Sequence, residues 1–189
     1  MKGIIMNEDS VLAILDGRKT QTRRLIKGVG PYIPEGKYRY DGMLEGVHAI
    51  ELLDENGNPT EHYIDCESPL YFPGEIVYVK EAFFKAHGEY FYEANPMIKR
   101  FLVTSSDFTS PRYMPQDAAR LFLRILNIRV ERLCDISVDD AISEGIEPVP
   151  GAHASVVILN AYYNRFFQLN KHIDPDSNPL VWVYEFEVI

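Results

Sequence analysis

Cysteine is scarce in this sequence, and the few cysteines are not spaced as a functional motif. Only Cys66 and Cys134 occur among the 189 residues, and neither has a second cysteine two residues away. This spacing excludes a zinc knuckle and a Cys-x-x-Cys redox pair. The five histidines are scattered singly. The sequence therefore predicts no metal site and no cofactor, and we expect both thiols to be free and buried.

Positive charge and long apolar runs are also in short supply. The chain has 19 basic and 28 acidic residues, a formal net charge of −9. Extended non-specific binding of duplex nucleic acid needs a broad basic surface, which this balance disfavours. No apolar run reaches ~18 residues, so no transmembrane helix is expected. Glu8 and Asp9 come too early for a secretory signal, and we expect a cytoplasmic protein with no membrane partner.

Against this acidic background, one short segment concentrates positive charge. Between residues 18 and 27 there are five basic side chains and no acidic one: Arg18, Lys19, Arg23, Arg24 and Lys27. A small anion, a nucleotide or a short single strand held in one pocket fits such a local concentration. The alternative, a solvated surface loop, has about equal weight for basic runs in general.

The patterning predicts strands separated by turns, with few and short helices. The helix after the first strand is expected to have Asp9 or Ser10 as its N-cap and to stop at Gly17. A later helix is expected to begin at Ser137 and to end at Gly145. Strands are predicted over residues 1–6, 76–83, 119–133 and 179–189. An amphipathic helix is predicted over 154–169, with Val157, Leu159, Tyr162, Phe166 and Leu169 mostly inward.

Two loosely patterned segments interrupt this framework. Residues 28–65 contain an Asn56-Gly57 pair between alternating runs, which predicts a β-hairpin. Residues 85–109 form the second segment, with a predicted strand near 101–104. We treat both as insertions in a single domain that spans residues 1–189. The expected fold class is α+β, a small mixed β-barrel with short flanking helices.

The basic segment also suggests a nucleophile and its base. Lys19 and Thr22 share one side only if the chain turns between them. A threonine hydroxyl attacks carbonyls only when a base takes its proton, and a lysine amine serves as that base only when its pKa is lowered. A carboxylate must then come from elsewhere, with Glu144 and Glu81 as candidates.

Each of these residues also has a simpler interpretation. Glu144 is also consistent with an ordinary solvated residue of a helix. Glu81 is also consistent with an ion pair to an arginine at the rim of the barrel. Thr22 also fits an ordinary turn position. Residue spacing alone therefore favours these simpler interpretations over a catalytic one.

Four motifs in order resemble the ASCH domain, a relative of the PUA-like RNA-binding barrels. They are Gly-Arg-Lys-Thr-x-Thr-x-Arg at 17–24, Pro-Gly-Glu-x-Val-x-Val-Lys-Glu at 73–81, Ala-x-x-Glu-Gly at 141–145 and Val-Tyr-Glu-Phe at 183–186. The flanking stretches at 110–115 and 178–183 are similar to the longer branch encoded by phages and prophages.

This resemblance implies a cleft that binds RNA, a nucleotide or a modified nucleoside. Small bacterial members of the superfamily are N(4)-acetylcytidine amidohydrolases, and carrying over their catalytic set gives Lys19, Thr22 and Glu144. In that mechanism Lys19 activates Thr22 for attack on the acetyl carbonyl. The residues that we expect to bind ligand are Arg18, Thr20, Arg23, Arg24, Lys80, Glu81 and Tyr113, with Tyr113 available for base stacking.

Three functions therefore stay open at the level of sequence. The first is a nucleotide-binding or RNA-binding module. The second is a hydrolase that acts on acetylated cytidine or a similar amide. The third is a phage accessory protein that acts through protein contacts, with its aromatic-rich insertions as the interface.

Overall fold

A computed structural model describes residues 1–29, 33–99 and 107–189, which form a mixed α+β structure. The strands are β1 (Lys2–Ile5), β2 (Gln21–Leu25), β3 (Lys37–Leu44), β4 (Val47–Leu53), β5 (Pro59–Cys66), β6 (Ile76–Lys80), β7 (Phe83–Ala86), β8 (Glu89–Tyr92), β9 (Phe122–Arg132) and β10 (Leu180–Val188). The helices are α1 (Glu8–Leu15), α2 (Pro96–Lys99), α3 (Val138–Ser143) and α4 (Ala154–Leu169). The strand predicted near 101–104 lies outside the described residues.

A five-stranded sheet in the order β1-β6-β9-β10-β2 is the framework of the fold. Only β1 and β6 run parallel, and the other neighbours are antiparallel. Residues 180–184 of β10 are all buried, because the sheet is covered on both faces. Trp182 and Tyr184 pack into a core with α1, whereas Val181 and Val183 pack against α3 and α4.

The insertion at 28–65 forms a second sheet in the order β3-β4-β5. Its hairpin turn contains Asn56-Gly57, as predicted, and Gly57 has the positive φ of 83° that such a turn requires. Tyr38 and Ile50 from this sheet join the main core. The described ranges contain two open sheets and the β7-β8 hairpin but no closed barrel, because β1 and β2 remain at the two edges of the larger sheet.

Several local predictions are confirmed, and others are wrong. Ser137 caps α3, accepting a hydrogen bond from the Asp140 backbone, and Gly145 follows that helix with a φ of 92°. The N-cap of α1 is Asn7, however, because its side chain accepts from the backbone nitrogen of Ser10. In α4, Val157 and Leu169 are 50% and 57% exposed, since the buried stripe runs through Ile158, Tyr162 and Phe166 instead.

The two cysteines differ in burial. Both are free, but Cys66 is buried and Cys134 is exposed. Burial raises the pKa of the Cys66 thiol to about 11, which keeps it protonated. The prediction of two buried thiols is therefore wrong for Cys134, which lies in the short turn that follows β9.

Candidate functional site

A tight reversal after α1 turns the basic segment into the interior. Gly17 has a φ of 72°, a left-handed conformation that glycine adopts without strain. The backbone nitrogens of Arg18 and Lys19 both donate to the Ala13 carbonyl at 2.9 Å, and Thr20 donates to Ser143 at 2.9 Å. The chain then enters β2 at Gln21. The side chain of Lys19 is thus placed inside the protein, at 3% exposure, rather than on a surface loop.

Lys19 and Glu144 meet in a buried ion pair. The ammonium nitrogen of Lys19 donates to Glu144 Oε2 at 2.7 Å, to the Glu144 carbonyl at 2.8 Å and to the Gln21 carbonyl at 2.9 Å. Glu144 is 7% exposed. Burial outweighs the attraction of Glu144 and lowers the pKa of Lys19 to about 8. At pH 7 the group is therefore mostly an ammonium, with all three of its protons donated.

Arg23 holds the other side of the same carboxylate. Its guanidinium contacts Glu144 Oε1 at 3.2 Å, Asp140 Oδ2 at 3.1 Å and Glu131 Oε1 at 2.5 Å. Burial opposes the charge of Arg23, but the Glu144 and Glu131 carboxylates outweigh it and raise its pKa. Both oxygens of Glu144 are consequently occupied, one by Lys19 and one by Arg23. Arg23 is committed to the interior and is not free to bind a ligand.

A small cavity, here called the recess, adjoins this pair. Its volume is about 40 Å³, and it is lined by Ser10, Lys19, Thr22, Arg23, Arg24, Glu144, Ile146, Tyr162, Arg165, Phe166, Leu169 and Asn170. Thr22 and Arg24 come from one face of β2, because side chains alternate along a strand. The structure thus brings all three residues of the predicted catalytic set to one cavity. No hydrogen bond joins Lys19 to Thr22 in the described structure.

A larger cavity, the outer pocket, shares part of the recess wall. It measures about 800 Å³ and is lined by Lys2, Gly3, Ile5, Met6, Asn7, Ser10, Arg24, Leu70, Tyr71, Pro111, Leu169 and Asn170. Ser10, Arg24, Leu169 and Asn170 line both cavities. The two cavities therefore adjoin at these four residues. The volume lies within the range of ~300–1,000 Å³ that is usual for small-molecule sites.

Two hydroxyl groups at the recess have unused hydrogen-bonding capacity. Tyr162 is 4% exposed, and its hydroxyl is the one buried side-chain oxygen or nitrogen in the described ranges that lacks a hydrogen-bond partner. Burial strongly raises the pKa of Tyr162, so this hydroxyl stays protonated as a donor. Among the described residues, the Thr22 hydroxyl also has no hydrogen-bond partner. Both groups therefore have hydrogen-bonding capacity that the described residues do not use.

Other residues that were predicted to bind ligand lie elsewhere. Glu81 is 2% exposed, and both of its carboxylate oxygens accept from Arg120 at 2.8 Å. The simpler interpretation of Glu81, an ion pair with an arginine, therefore agrees with the structure. Glu81 does not line the recess. Lys80 donates to the Arg112 carbonyl at 2.6 Å. Tyr113 is 71% exposed and lines neither cavity.

Arg18 and Thr20, also predicted to bind ligand, flank the recess without lining it. Arg18 donates to the Gly145 carbonyl at 3.1 Å and pairs with Asp16 at 3.0 Å. Thr20 is exposed and lines a different cavity, which Lys19 also lines. The structure therefore keeps only Arg23 and Arg24, of the seven predicted ligand-binding residues, in the wall of the recess.

Sequence reasoning missed four contributors to the site. Tyr162 was expected to be inward but only as part of the core, and Arg165 lies three residues later on the same face of α4. The three-residue spacing of Tyr162 and Arg165 was a sequence signal that could have placed both on one face of the helix. Glu131 and Asp140, which bind Arg23, come from β9 and α3. Nothing in the local sequence of those elements points to Arg23.

Neither a metal cluster nor a membrane-spanning helix is found in the described part of the chain. No group of three or more His, Cys, Asp or Glu side chains there is placed to hold a metal ion. No helix in these ranges combines the length and apolar character needed to cross a membrane.

Comparisons of the chain with protein-family models, with curated proteins and with solved structures found no match. The similarity to the ASCH domain therefore rests on the four sequence motifs alone. The geometry adds one observation of its own, since residues 19, 22 and 144, which belong to two of those motifs, line a single cavity.

Proposed function

We propose that the protein binds a nucleotide, a nucleoside or the end of an RNA strand in the outer pocket, with one end of the ligand at the recess. The resemblance to the ASCH domain supports this proposal. We also propose that the five-stranded sheet corresponds to the sheet of a PUA-like barrel. The size of the outer pocket is suited to a ligand of nucleotide size.

The observation that carries the proposal is the unpartnered hydroxyl of Tyr162. A buried polar group without a partner costs ~1–3 kcal/mol, so natural structures rarely leave one without a reason. This hydroxyl lies at a recess that also contains the free Thr22 hydroxyl. A ligand that accepts a hydrogen bond from Tyr162 recovers that cost.

Calorimetric titration with nucleosides, nucleotides and short RNAs tests the proposal. We expect Tyr162→Phe to weaken binding about tenfold, since one hydrogen bond to a buried donor is lost. Tyr163→Phe is the matched control, because Tyr163 lies on the same helix but its hydroxyl donates to the Cys134 carbonyl and lines neither cavity. Wild-type protein that binds none of these ligands contradicts the proposal.

The second candidate function is hydrolysis of N(4)-acetylcytidine or a similar amide. Two observations favour it: burial lowers the pKa of Lys19 to about 8, and the free Thr22 hydroxyl lines the same recess. In this reaction the neutral Lys19 amine takes the Thr22 proton, Thr22 Oγ1 attacks the acetyl carbonyl, and the cytidine amine leaves with that proton. Water then releases acetate from Thr22.

The hydrogen bonds of Lys19 favour the binding function over this reaction. All three protons of the ammonium are donated to Gln21 and Glu144. To act as a base, the amine must lose one proton, give up one of these bonds and turn towards Thr22. Nothing in the described structure holds Lys19 in that second arrangement. The arrangement of Lys19 and Glu144 therefore suits a structural role in the wall of the recess better than proton transfer.

Incubation with N(4)-acetylcytidine, followed by the loss of amide absorbance, separates the two functions. Catalysis predicts turnover that is abolished in Lys19→Ala and in Thr22→Ala and partly kept in Thr22→Ser. The binding function predicts no turnover in any of these proteins, with the Thr22→Ser variant still binding nucleotide. Turnover that persists in Thr22→Ala rules out the nucleophilic role.

A further inference from the structure

Two guanidinium groups at the recess, those of Arg24 and Arg165, form no ion pair with any described residue. Arg24 Nη2 donates to the Ile5 carbonyl at 2.7 Å and contacts the sulfur of Met6 at 3.8 Å. Arg165 donates to the hydroxyl of Ser10. Within the described ranges, neither arginine lies within ion-pair distance of a carboxylate. The adjacent Arg23, by contrast, contacts three.

The two charges act on the same small region. Both Arg24 and Arg165 line the recess, and the positive charges of both lower the pKa of Lys19. Burial is the main cause that lowers the pKa of Arg165, and it outweighs the opposing effect of the Glu144 and Asp9 carboxylates. The recess therefore collects cations in a protein whose formal net charge is −9. Glu144, the one carboxylate in the wall of the recess, already has both oxygens bound, by Lys19 and Arg23.

We propose that Arg24 and Arg165 bind the oxyanion of a phosphate monoester, with the hydroxyls of Tyr162 and Thr22 as further hydrogen-bond partners. This proposal deepens the proposed function and rests on it for the identity of the ligand: a nucleotide or a phosphorylated RNA end, and not an uncharged nucleoside. Arg24 also lines the outer pocket. The phosphate is therefore held at the junction of the two cavities, with the sugar and base in the outer pocket.

Charge and hydrogen-bond geometry favour phosphate over a carboxylate. A phosphate monoester carries a charge close to −2 at pH 7, which matches two unpaired guanidinium groups. Its three terminal oxygens accept from planar guanidinium forks and from hydroxyls at once. Tyr162 stays protonated because burial raises its pKa, so it donates to an anion and does not repel it. A carboxylate neutralises only one of the two cations.

The experiment compares matched ligands against matched variants by calorimetry. The ligands are cytidine and adenosine, their 5′-monophosphates, a short RNA with and without a 5′-phosphate, acetate and inorganic phosphate. The variants are Arg24→Gln and Arg165→Gln, with Arg124→Gln as the control. Arg124 is an exposed arginine that pairs with Glu187 at 2.6 Å and lines neither cavity. Circular dichroism of each variant establishes that it is folded.

We expect wild-type protein to bind each phosphorylated ligand at least about tenfold more tightly than its unphosphorylated partner. Arg24→Gln and Arg165→Gln should each reduce this ratio to about threefold or less. Arg124→Gln should keep the wild-type ratio. Raising the salt concentration should reduce the ratio in wild-type protein, because the two charges are only partly buried. If one glutamine variant does not fold, the corresponding lysine variant replaces it and should keep an intermediate ratio.

The outcomes separate this inference from the proposed function. Nucleosides that bind as tightly as nucleotides, or a ratio that both glutamine variants preserve, overturn the phosphate site and leave ligand binding intact. Inorganic phosphate that binds through the two arginines, while no nucleoside, nucleotide or RNA binds, supports the phosphate site and overturns the proposed function. Acetate that binds as tightly as phosphate overturns the choice of phosphate. Binding of none of these ligands overturns both.

Discussion

The Lys19 ammonium and the Glu144 carboxylate, 125 positions apart in the chain, meet at 2.7 Å in the interior of the protein. The loop after α1 brings the lysine, and the end of α3 brings the glutamate. Arg23 contacts the second oxygen of the same carboxylate at 3.2 Å. Removal of Glu144 therefore leaves the buried Lys19 ammonium without a carboxylate partner in the described structure, and it takes one of three carboxylates from Arg23.

Glu144→Gln should destabilise the protein by about 3–5 kcal/mol, because breaking a buried ion pair leaves uncompensated charge. Urea unfolding measures the change. Glu187→Gln is the matched control: its partner Arg124 is at a comparable distance of 2.6 Å, but both side chains are almost half exposed. We expect a loss of about 1 kcal/mol or less there. Equal losses at both positions are inconsistent with a buried pair at Glu144.

The lowered pKa of Lys19 predicts a rise in stability at alkaline pH. Lys19 loses its proton near pH 8 in the folded protein and near its ordinary value of 10.5 in the unfolded chain. Between these values the unfolded state binds more protons, so this contribution to stability grows from pH 8 to 10.5 and is lost again as the pH falls through 8.

Urea unfolding of wild-type protein and of Lys19→Met at pH 7.5, 9 and 10 isolates this effect. The difference in free energy of unfolding between the two proteins should shift in favour of wild type as the pH rises. Lys27→Met, at an exposed position, should keep the wild-type pH dependence because Lys19 is intact. A pH dependence that Lys19→Met leaves unchanged assigns the rise to other groups.

Tyr162→Phe should stabilise the protein without ligand by about 1 kcal/mol, since it removes a buried hydroxyl that has no partner in the described structure. Tyr184→Phe should have the opposite sign. The Tyr184 hydroxyl accepts from the Leu70 backbone at 3.1 Å, and its removal leaves that nitrogen unpaired, at a cost of about 1 kcal/mol. Thermal unfolding with calorimetric detection measures both. A loss of stability in Tyr162→Phe indicates that the hydroxyl has a partner in solution.

Gly145→Ala should distort the site as well as destabilise the fold. A Cβ at residue 145 falls 2.7 Å from the Ala13 Cβ and 3.2 Å from the Lys19 Cβ, and φ is 92°. Gly57→Ala is the matched control, with a φ of 83° but no atom within 4 Å of the added Cβ. Both variants carry the backbone strain of about 1–2 kcal/mol, and only Gly145→Ala adds steric overlap of about 1–3 kcal/mol.

The same two glycine variants also give a prediction for nucleotide affinity. The overlap at residue 145 is resolved by moving either α1 or the Lys19 backbone, and both changes shift the floor of the recess. We therefore expect Gly145→Ala to lose affinity at temperatures where it remains folded, and Gly57→Ala to bind as wild type does. Wild-type affinity in folded Gly145→Ala shows that the loop after α1 relaxes independently of the recess.

Much of the fold could be predicted because local signals and burial agree. The Ser137 cap, the Gly145 stop and the turn at Asn56-Gly57 are short-range features, and the structure has all three. Strand β9 alternates as expected, with Leu123 and Ile125 fully buried. The predicted barrel is not confirmed, since closure depends on how sheet edges meet, which periodicity does not encode.

The site was predictable only in part for the same reason. Chemistry alone required a distant carboxylate for Lys19, and the structure supplies Glu144. The other candidate, Glu81, has the same residue type and is also buried, but Arg120 takes both of its oxygens. Which of the two carboxylates pairs with Lys19 depends on tertiary contacts, and residue spacing in the sequence does not determine these. Arg165 was missed because an arginine on an amphipathic helix is normally assigned to its solvated face.

The three acceptors around the Lys19 amine have a consequence for ligand exchange. All of them belong to residues 21 and 144, so contacts within the protein anchor the amine to β2 and to the end of α3. The cavity floor is therefore preorganised, and an incoming molecule need not order it. The side chains that adjust on binding are instead those of Arg24 and Arg165. We therefore expect affinity to be most sensitive to substitutions at these two positions.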